Sequence, residues 1–160
     1  MILLDTDRIR RTAKRMAHQI AEEAHGSRIY MIGVNERGLS LARLLKSSID
    51  KIDDRNTPLE KISSFDDEPF NAFPSPENDS VLVIVDDVIF GGGTMFKVLN
   101  KIKELNEFQK IYTAVLVDRG HRKYPVQASI VGLNFPTKLN EQVEMKLING
   151  KPDQVVLLKN

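Results

Sequence analysis

The stretch VLVIVDDVIFGGGTMFK, residues 81–97, places two neighbouring carboxylates just before three consecutive glycines. Five aliphatic residues precede Asp86 and Asp87, and a segment with helical spacing begins near Thr94. Glycines between a strand and a helix let backbone N–H groups approach a phosphate, and the helix N-terminus adds partial positive charge. Carboxylates accept hydrogen bonds from sugar hydroxyls. The stretch therefore predicts a site for a sugar phosphate.

Simpler explanations exist for each half of this stretch, and two familiar phosphate motifs do not fit it. The glycines alone could form an ordinary tight turn, and the aspartates alone could cap a helix or end a strand in solvent. A Walker A loop needs Gly-Lys-Ser/Thr after four intervening residues, and the dinucleotide fingerprint needs a third glycine three residues after the second. Neither spacing occurs here.

Segments with helical spacing alternate with short apolar runs along the chain, which indicates parallel strands joined by helical crossovers. The spacing therefore predicts one α/β domain over residues 1–160, an open and mostly parallel sheet with helices on both faces. We predict helices over residues 5–24, near 41–49 and over about 94–105, strands over 27–34, 59–65, 81–85, 111–117 and 128–132, and a terminal hairpin that turns at Asn149-Gly150.

In an open parallel sheet, ligands bind at the carboxyl ends of the strands. This rule places three segments at one edge: a loop Asn35–Gly38 after the first predicted strand, the acidic pair with its glycines, and the segment Asp118–Arg122. The candidate site residues therefore come from distant parts of the chain and should meet at that edge.

The composition narrows the class of protein without identifying a partner. The 160 residues contain 23 basic and 22 acidic side chains, so the net charge of +1 argues neither for nor against nucleic acid. With no cysteine, the chain has no disulfides, thiolate nucleophiles or cysteine-bound metals. No window approaches the roughly 18 uninterrupted apolar residues of a membrane span, and we expect a soluble, cytoplasmic protein.

The segment VIVDDVIFGGGT resembles the signature of the type I phosphoribosyltransferases, which bind phosphoribosyl diphosphate (PRPP). Outside it, three blocks are similar to the PyrR family of pyrimidine-operon attenuators that also have uracil phosphoribosyltransferase activity. These blocks are IRRTAKRMAHQI, IGVNERGLSLARLL and LVDRGHRKYPVQASIVGLNFPT. The resemblance covers most of the chain and is weakest between Thr57 and Ser80. It implies the type I phosphoribosyltransferase fold, in which the C-terminal hairpin forms a hood.

The resemblance also implies a role for individual residues. Asp86 and Asp87 would be the catalytic pair and hold the ribose hydroxyls, and the following loop would hold the 5′-phosphate. The loop after the first strand would cradle the diphosphate, with Arg37 as its charged member. The phosphate set is Gly91, Gly92, Gly93 and Thr94, and the diphosphate set is Asn35, Glu36, Arg37 and Gly38.

Further partners follow from the resemblance alone. Mg²⁺ would arrive with PRPP, bridging diphosphate and ribose oxygens, without a dedicated set of protein ligands. Arg119 and His121 are candidates for the side facing the base. Arg15, His18 and Arg122 stand at positions that the family uses to bind RNA. The resemblance further implies a homodimer or a higher homo-oligomer.

Three departures from the family pattern set a second hypothesis beside the enzyme. Gly91 stands where the family carries threonine, Glu36 brings a negative charge to the diphosphate loop, and SSFDDE offers no cation in the loop that closes over the reaction. The first hypothesis is PRPP-dependent transfer to uracil or a related base. The alternative is a PRPP- or nucleotide-binding regulator with weakened catalysis, with RNA-binding attenuation of pyrimidine genes as one form.

Overall fold

The computed structural model describes residues 1–159, which form three α-helices, eight β-strands and a short 3₁₀ turn at Leu105–Glu107. Their bounds are β1 Ile2–Leu4, α1 Thr6–Ala24, β2 Ile29–Val34, α2 Asn35–Asp53, β3 Leu59–Ile62, β4 Val81–Ile89, α3 Gly93–Lys101, β5 Lys110–Asp118, β6 Ile130–Asn134, β7 Glu141–Ile148 and β8 Lys151–Lys159.

Five strands form a parallel sheet in the order β3-β2-β4-β5-β6. Helices α1 and α2 pack with one face of this sheet in a large apolar core, and α3 packs with the other face in a second core. The predicted open α/β sheet with helices on both faces is therefore confirmed. Within residues 1–159, no helix combines the length and apolarity that crossing a bilayer requires.

The hood is an antiparallel sheet in the order β1-β8-β7. The predicted turn is confirmed at Asn149 and Gly150, which have φ of 53° and 74° and join β7 to β8. Strand β1, which the sequence analysis did not identify, pairs antiparallel with β8, so that Ile2 lies opposite Val156. The N-terminal strand thus completes a layer that the C-terminal hairpin begins.

Several predicted element bounds were wrong in informative ways. The segment Asn35–Gly38 is the first turn of α2 and not a free loop, since helical backbone begins directly after β2. Strand β4 continues through the acidic pair to Ile89, because β5 offers pairing partners as far as Asp118. Helix α3 ends at Lys101, where Ile102 turns to extended backbone and bridges to Phe70.

Candidate functional site

The acidic pair lies inside β4, where the strand leaves the core. Only 8% of Asp86 is exposed, and its Oδ1 accepts a hydrogen bond of 2.8 Å from the backbone N–H of Asp87. The pattern of facing side chains shifts at this point: Val85 and Val88 both pack against the core under α1 and α2, although three positions separate them. The two carboxylates thus lie in a part of β4 that is paired with β5 on both sides of them.

Burial raises the pKa of Asp86 well above its usual range, and the neighbouring charge of Asp87 raises it further. Both effects disfavour the ionised form, because a buried carboxylate loses hydration and two like charges repel. A carboxyl with a raised pKa can exchange hydrogen bonds with sugar hydroxyls as donor and as acceptor. This environment differs from that of a solvated strand end.

The three glycines form the turn between β4 and α3. Gly92 is the residue before the helix and has φ of 87°, a left-handed conformation that favours glycine. A Cβ on Gly93 would lie 3.3 Å from the ring of Tyr124. The first backbone N–H groups of α3 thus face a loop without side chains, which is an arrangement suited to an anion.

The segment that follows β5 holds this glycine turn in place through Arg122. The guanidinium donates to the carbonyl of Phe90 at 2.8 Å, to the carboxylate of Asp118 at 2.7 and 3.0 Å, and to the carbonyl of Val126 at 2.8 Å. The side chain of Arg122 is 23% exposed. A residue predicted to contact RNA therefore lies within the framework of the candidate phosphate site.

Asp118 is the acidic partner of Arg122 in this framework. Burial favours the neutral carboxyl, but hydrogen bonds from Arg122 and from the N–H of Gly120, together with the arginine charge, hold the pKa of Asp118 below its usual range. The ion pair is therefore formed at neutral pH. It joins the end of β5 to the start of the glycine turn.

Gly91 is fixed by its backbone and has room for a side chain. Its carbonyl accepts hydrogen bonds of 2.9 Å from the N–H groups of both Lys123 and Tyr124. A Cβ on Gly91 would lie 3.7 Å from the Cβ of Lys123, which is an ordinary contact. Packing does not require a glycine at this position.

A cavity of about 270 Å³ joins the acidic strand end to the glycine turn. Asp86 and the turn Gly91–Thr94 line it, together with Arg119 and with Val143 of the hood. Among the predicted ribose and phosphate residues, Asp86 and the whole turn are thus brought to one cavity.

Of the two candidates for the base side, Arg119 lies in the cavity wall. Its Nε donates to the hydroxyl of Thr137 at 2.7 Å, and its guanidinium carbon lies 4.1 Å from the centroid of the Phe90 ring. His121 has a left-handed backbone with φ of 58°, and its ring centroid is 5.7 Å from that of Phe90. Phe90 thus lies between the two candidates.

The predicted diphosphate segment packs tightly against the acidic strand. A Cβ on Gly38 would lie 2.6 Å from the carbonyl oxygen of Val85 and 3.3 Å from the Cα of Asp86, so only glycine allows this approach. Asn35 has a φ of 57°, and its side-chain amide exchanges two hydrogen bonds with Ser64, at 2.8 and 2.9 Å. The first turn of α2 is thereby fixed to β4 and to the segment after β3.

The two charged residues of this turn are engaged in different ways. Arg37 donates from Nε to the carbonyl of Met145 at 2.7 Å and from Nη2 to the carboxylate of Glu144 at 2.8 Å. Glu36 accepts a hydrogen bond from Lys61 on β3. Arg37 thus connects α2 to the hood, and Glu36 is paired with a cation that the sequence analysis did not identify.

The segment after β3, which the resemblance assigns to closing over the reaction, rests on α3. The ammonium of Lys101 contacts the carbonyl of Ser63 and forms an ion pair of 2.7 Å with Asp66. Lys97 approaches Asp67 at 3.4 Å. The acidic part of the segment therefore lies against cations of α3.

The remaining RNA candidates lie on α1. Arg15 donates to the carbonyl of Gly132 at 2.5 Å, so it connects α1 to the edge strand β6. His18 is exposed. Within residues 1–159, no group of three or more His, Cys, Asp or Glu side chains could hold a metal ion.

Comparison with known protein families identifies the family of this domain. The phosphoribosyl transferase domain family matches residues 2–146. The chain belongs to the phosphoribosyltransferase family.

Two curated relatives of about one-third identity match nearly the whole chain. The Bifunctional protein PyrR of Herpetosiphon aurantiacus is 34% identical over 171 residues, covering 98% of this chain and 96% of the relative. The Bifunctional protein PyrR of Alkaliphilus metalliredigens is 33% identical, covering 98% of this chain and 94% of the relative. The resemblance to PyrR inferred from the sequence blocks is therefore confirmed.

Solved structures confirm the fold. The 1.4 Å crystal structure of the hypoxanthine phosphoribosyltransferase of Trypanosoma cruzi superposes with a TM-score of 0.80 at 20% identity. The match covers 99% of this chain and 96% of that one. The phosphoribosyltransferase fold therefore extends through the hood.

Sequence reasoning placed Asp118 and Arg122 at this edge but missed the ion pair between them, and it missed Lys61. Asp118 and Arg122 stand four positions apart outside any helix, a spacing that indicates an ion pair only once the loop geometry is known. Lys61 follows an alternating strand pattern and looks like an ordinary solvent-facing residue. Glu36 lies 25 positions earlier in the chain, so the sequence gives no signal for this pairing.

The raised pKa of Asp86 predicts how the free energy of unfolding depends on pH. The native state retains a proton that the unfolded chain releases near the ordinary value of 3.8. The stability contributed by Asp86 is therefore complete below that value and is lost as the pH rises through the native pKa. Asp86→Asn should remove this loss, so that its stability advantage over the wild type grows from about pH 4 toward neutrality.

Urea unfolding of both proteins between about pH 4 and pH 8 measures this difference. Glu60→Gln, which neutralises an exposed carboxylate on β3, should follow the wild-type profile. A difference between Asp86→Asn and the wild type that stays constant over the whole pH range would contradict the account.

Proposed function

We propose that this chain is a PRPP-dependent phosphoribosyltransferase that transfers the phosphoribosyl group to uracil and releases diphosphate. The observation that carries this proposal is the cavity lined both by buried Asp86 and by the glycine-rich turn Gly91–Thr94 at the start of α3. A carboxylate beside an anion site matches a sugar phosphate, and the PyrR relatives favour uracil as the base.

The binding mode follows from the donors and acceptors at this edge. The 5′-phosphate would accept hydrogen bonds from the backbone N–H groups of the turn and the hydroxyl of Thr94. The ribose hydroxyls would interact with Asp86 and Asp87. Arg122 contributes indirectly by holding the carbonyl of Phe90, which keeps the turn in position.

In the reaction, a bond forms between a nitrogen of the base and the anomeric carbon while the bond from that carbon to the diphosphate oxygen breaks. The base nitrogen loses its proton. Positive charge develops on the sugar as the bond to the leaving group lengthens, and the negative charge of the acidic pair Asp86–Asp87 stabilises it. Burial strengthens this effect because water screens the interaction less.

Phosphoribosyltransferases generally use Mg²⁺ with PRPP, and the donor set at this site fits a metal carried by the substrate. The oxygens of Asp86 and Asp87 are the hard ligands that Mg²⁺ prefers, but they make a pair and not a complete set. The remaining ligands would come from diphosphate, ribose and water. When bound, the ion supplies positive charge to the departing diphosphate.

The alternative is a regulator that binds PRPP or a nucleotide but transfers poorly. Gly91 lacks the hydroxyl donor that a threonine would add, although its surroundings would admit one. The acidic segment beside Ser63 lies on α3 and carries no arginine toward the cavity. Binding without turnover would identify this alternative.

A transfer assay with radiolabelled uracil, PRPP and Mg²⁺ tests the proposal. We expect the wild type to form uridine monophosphate and the double variant Asp86→Asn/Asp87→Asn to form it more slowly by about 100-fold or a larger factor, since both carboxyl groups are removed. The matched control is Asp53→Asn/Asp54→Asn, a second pair of adjacent aspartates at the end of α2.

The control should retain wild-type activity, because Asp54 has a left-handed backbone that asparagine also adopts. If the wild type gives no more product than the active-site variant, the chain is not a uracil phosphoribosyltransferase. Retained binding of PRPP in that case would leave the regulator as the explanation.

RNA binding is a second candidate function, and the exposed face of α1 favours it. Arg8, Arg10, Arg11 and Lys14 are exposed, and within residues 1–159 none of them forms an ion pair. Unpaired cations in a row can neutralise successive phosphates. The engagement of Arg122 and Arg15 with backbone carbonyls weakens the case for those two residues as RNA contacts.

Binding to a pyrimidine-leader RNA hairpin at several salt concentrations tests this candidate. We expect Arg11→Ala/Lys14→Ala to bind more weakly and to lower the slope of log affinity against log salt by about two, one for each lost phosphate contact. Lys51→Ala, at the far end of α2, is the control for the loss of a cation from another part of the surface. Equal affinity and slope for the double variant and the wild type would remove the RNA candidate.

A further inference from the structure

Lys61 is the cation beside the predicted diphosphate turn. It lies on β3 opposite Gly33 of β2. Gly33 stands two positions before Asn35, where α2 begins. The ammonium of Lys61 reaches the carboxylate of Glu36 in that turn. The hydrogen bond and the positive charge of Lys61 lower the pKa of Glu36, so the pair is charged at neutral pH.

The arginine of the same turn is committed elsewhere. Arg37 holds the carbonyl of Met145 and the carboxylate of Glu144, and these contacts connect α2 to the hood. Withdrawing Arg37 to bind a ligand would leave a backbone carbonyl and a carboxylate without that partner. Lys61 has no such structural duty, since its partner in this part of the chain is one exposed carboxylate, with 43% of the lysine side chain and 70% of the glutamate side chain accessible.

We infer that Lys61 binds the diphosphate of PRPP. In the absence of the ligand Glu36 pairs with Lys61, and this ion pair opens when PRPP binds. This inference rests on the proposed function, because it assigns a residue to the diphosphate side of the same site. It also resolves why a glutamate stands in a turn that should receive an anion: the glutamate positions a cation there.

The exchange of partners is favourable on electrostatic grounds. A diphosphate carries several negative charges, whereas Glu36 carries one, and an exposed ion pair contributes little to folding stability. The lysine stem is flexible and its ammonium has three donors that can turn from one oxygen to another. Binding would leave Glu36 exposed to solvent, where its charge is hydrated.

Lys61 should contribute to the binding of one class of ligand and not of another. PRPP presents a diphosphate to Lys61, but uridine monophosphate carries only the phosphate that the glycine turn would hold. Loss of Lys61 should therefore lower the affinity for PRPP and leave the affinity for the monophosphate unchanged. A merely structural role for the lysine would affect both ligands alike.

Calorimetric titration of PRPP with Mg²⁺, and separately of uridine monophosphate, tests this. We expect Lys61→Met to weaken the binding of PRPP about tenfold, which is the scale of a lost charge-assisted hydrogen bond. The affinity for uridine monophosphate should stay unchanged. Lys61→Arg should restore PRPP binding, and Glu36→Gln should strengthen it by removing the competing carboxylate. Lys51→Met, at the other end of α2, should match the wild type.

The outcomes distinguish this inference from the proposed function. Equal PRPP affinity in Lys61→Met and the wild type overturns the role of Lys61 while the enzyme proposal stands. Parallel loss of both ligands in Lys61→Met also overturns it, in favour of a structural role. A wild type that binds neither ligand contradicts the proposed function and this inference together.

Discussion

The side chain of Arg122 holds together the parts of the molecule on which the site depends. It connects the end of β5, through Asp118, to the carbonyl of Phe90 and to Val126. The glycine turn begins at the next residue after Phe90, and its own carbonyl at Gly91 is held by two further N–H groups of the same segment. A loop without side chains cannot fix its own shape, so the neighbouring segment supplies the hydrogen bonds that do so.

Much of the fold and the centre of the site could be predicted from the sequence because both rest on local patterns. The apolar run before Asp86 predicts a buried strand, and the glycines after it predict a turn into the helical segment that follows. Since parallel strands end at a common edge, Asp118 was expected near that turn. The Asn149-Gly150 turn followed from two residues that favour left-handed backbone.

What could not be predicted depends on contacts between distant segments. Three residues of β1 carry too little pattern to reveal a strand that pairs with β8 at the other end of the chain. The direction of Arg37 toward the hood and the pairing of Glu36 with Lys61 are set by the packing of α2 against its neighbours. Arg122 was predicted as an RNA contact because its five oxygen partners, on Phe90, Asp118, Gly120 and Val126, become neighbours only in the folded chain.

The central claim is that the buried carboxylate and the glycine turn together hold a ribose 5-phosphate. A crystal structure of the chain with bound uridine monophosphate tests it most directly. The account predicts the phosphate on the backbone N–H groups of Gly91–Thr94 and the ribose hydroxyls within hydrogen-bond distance of Asp86 and Asp87. A nucleotide bound at another edge of the sheet, with this turn free of phosphate, would contradict it.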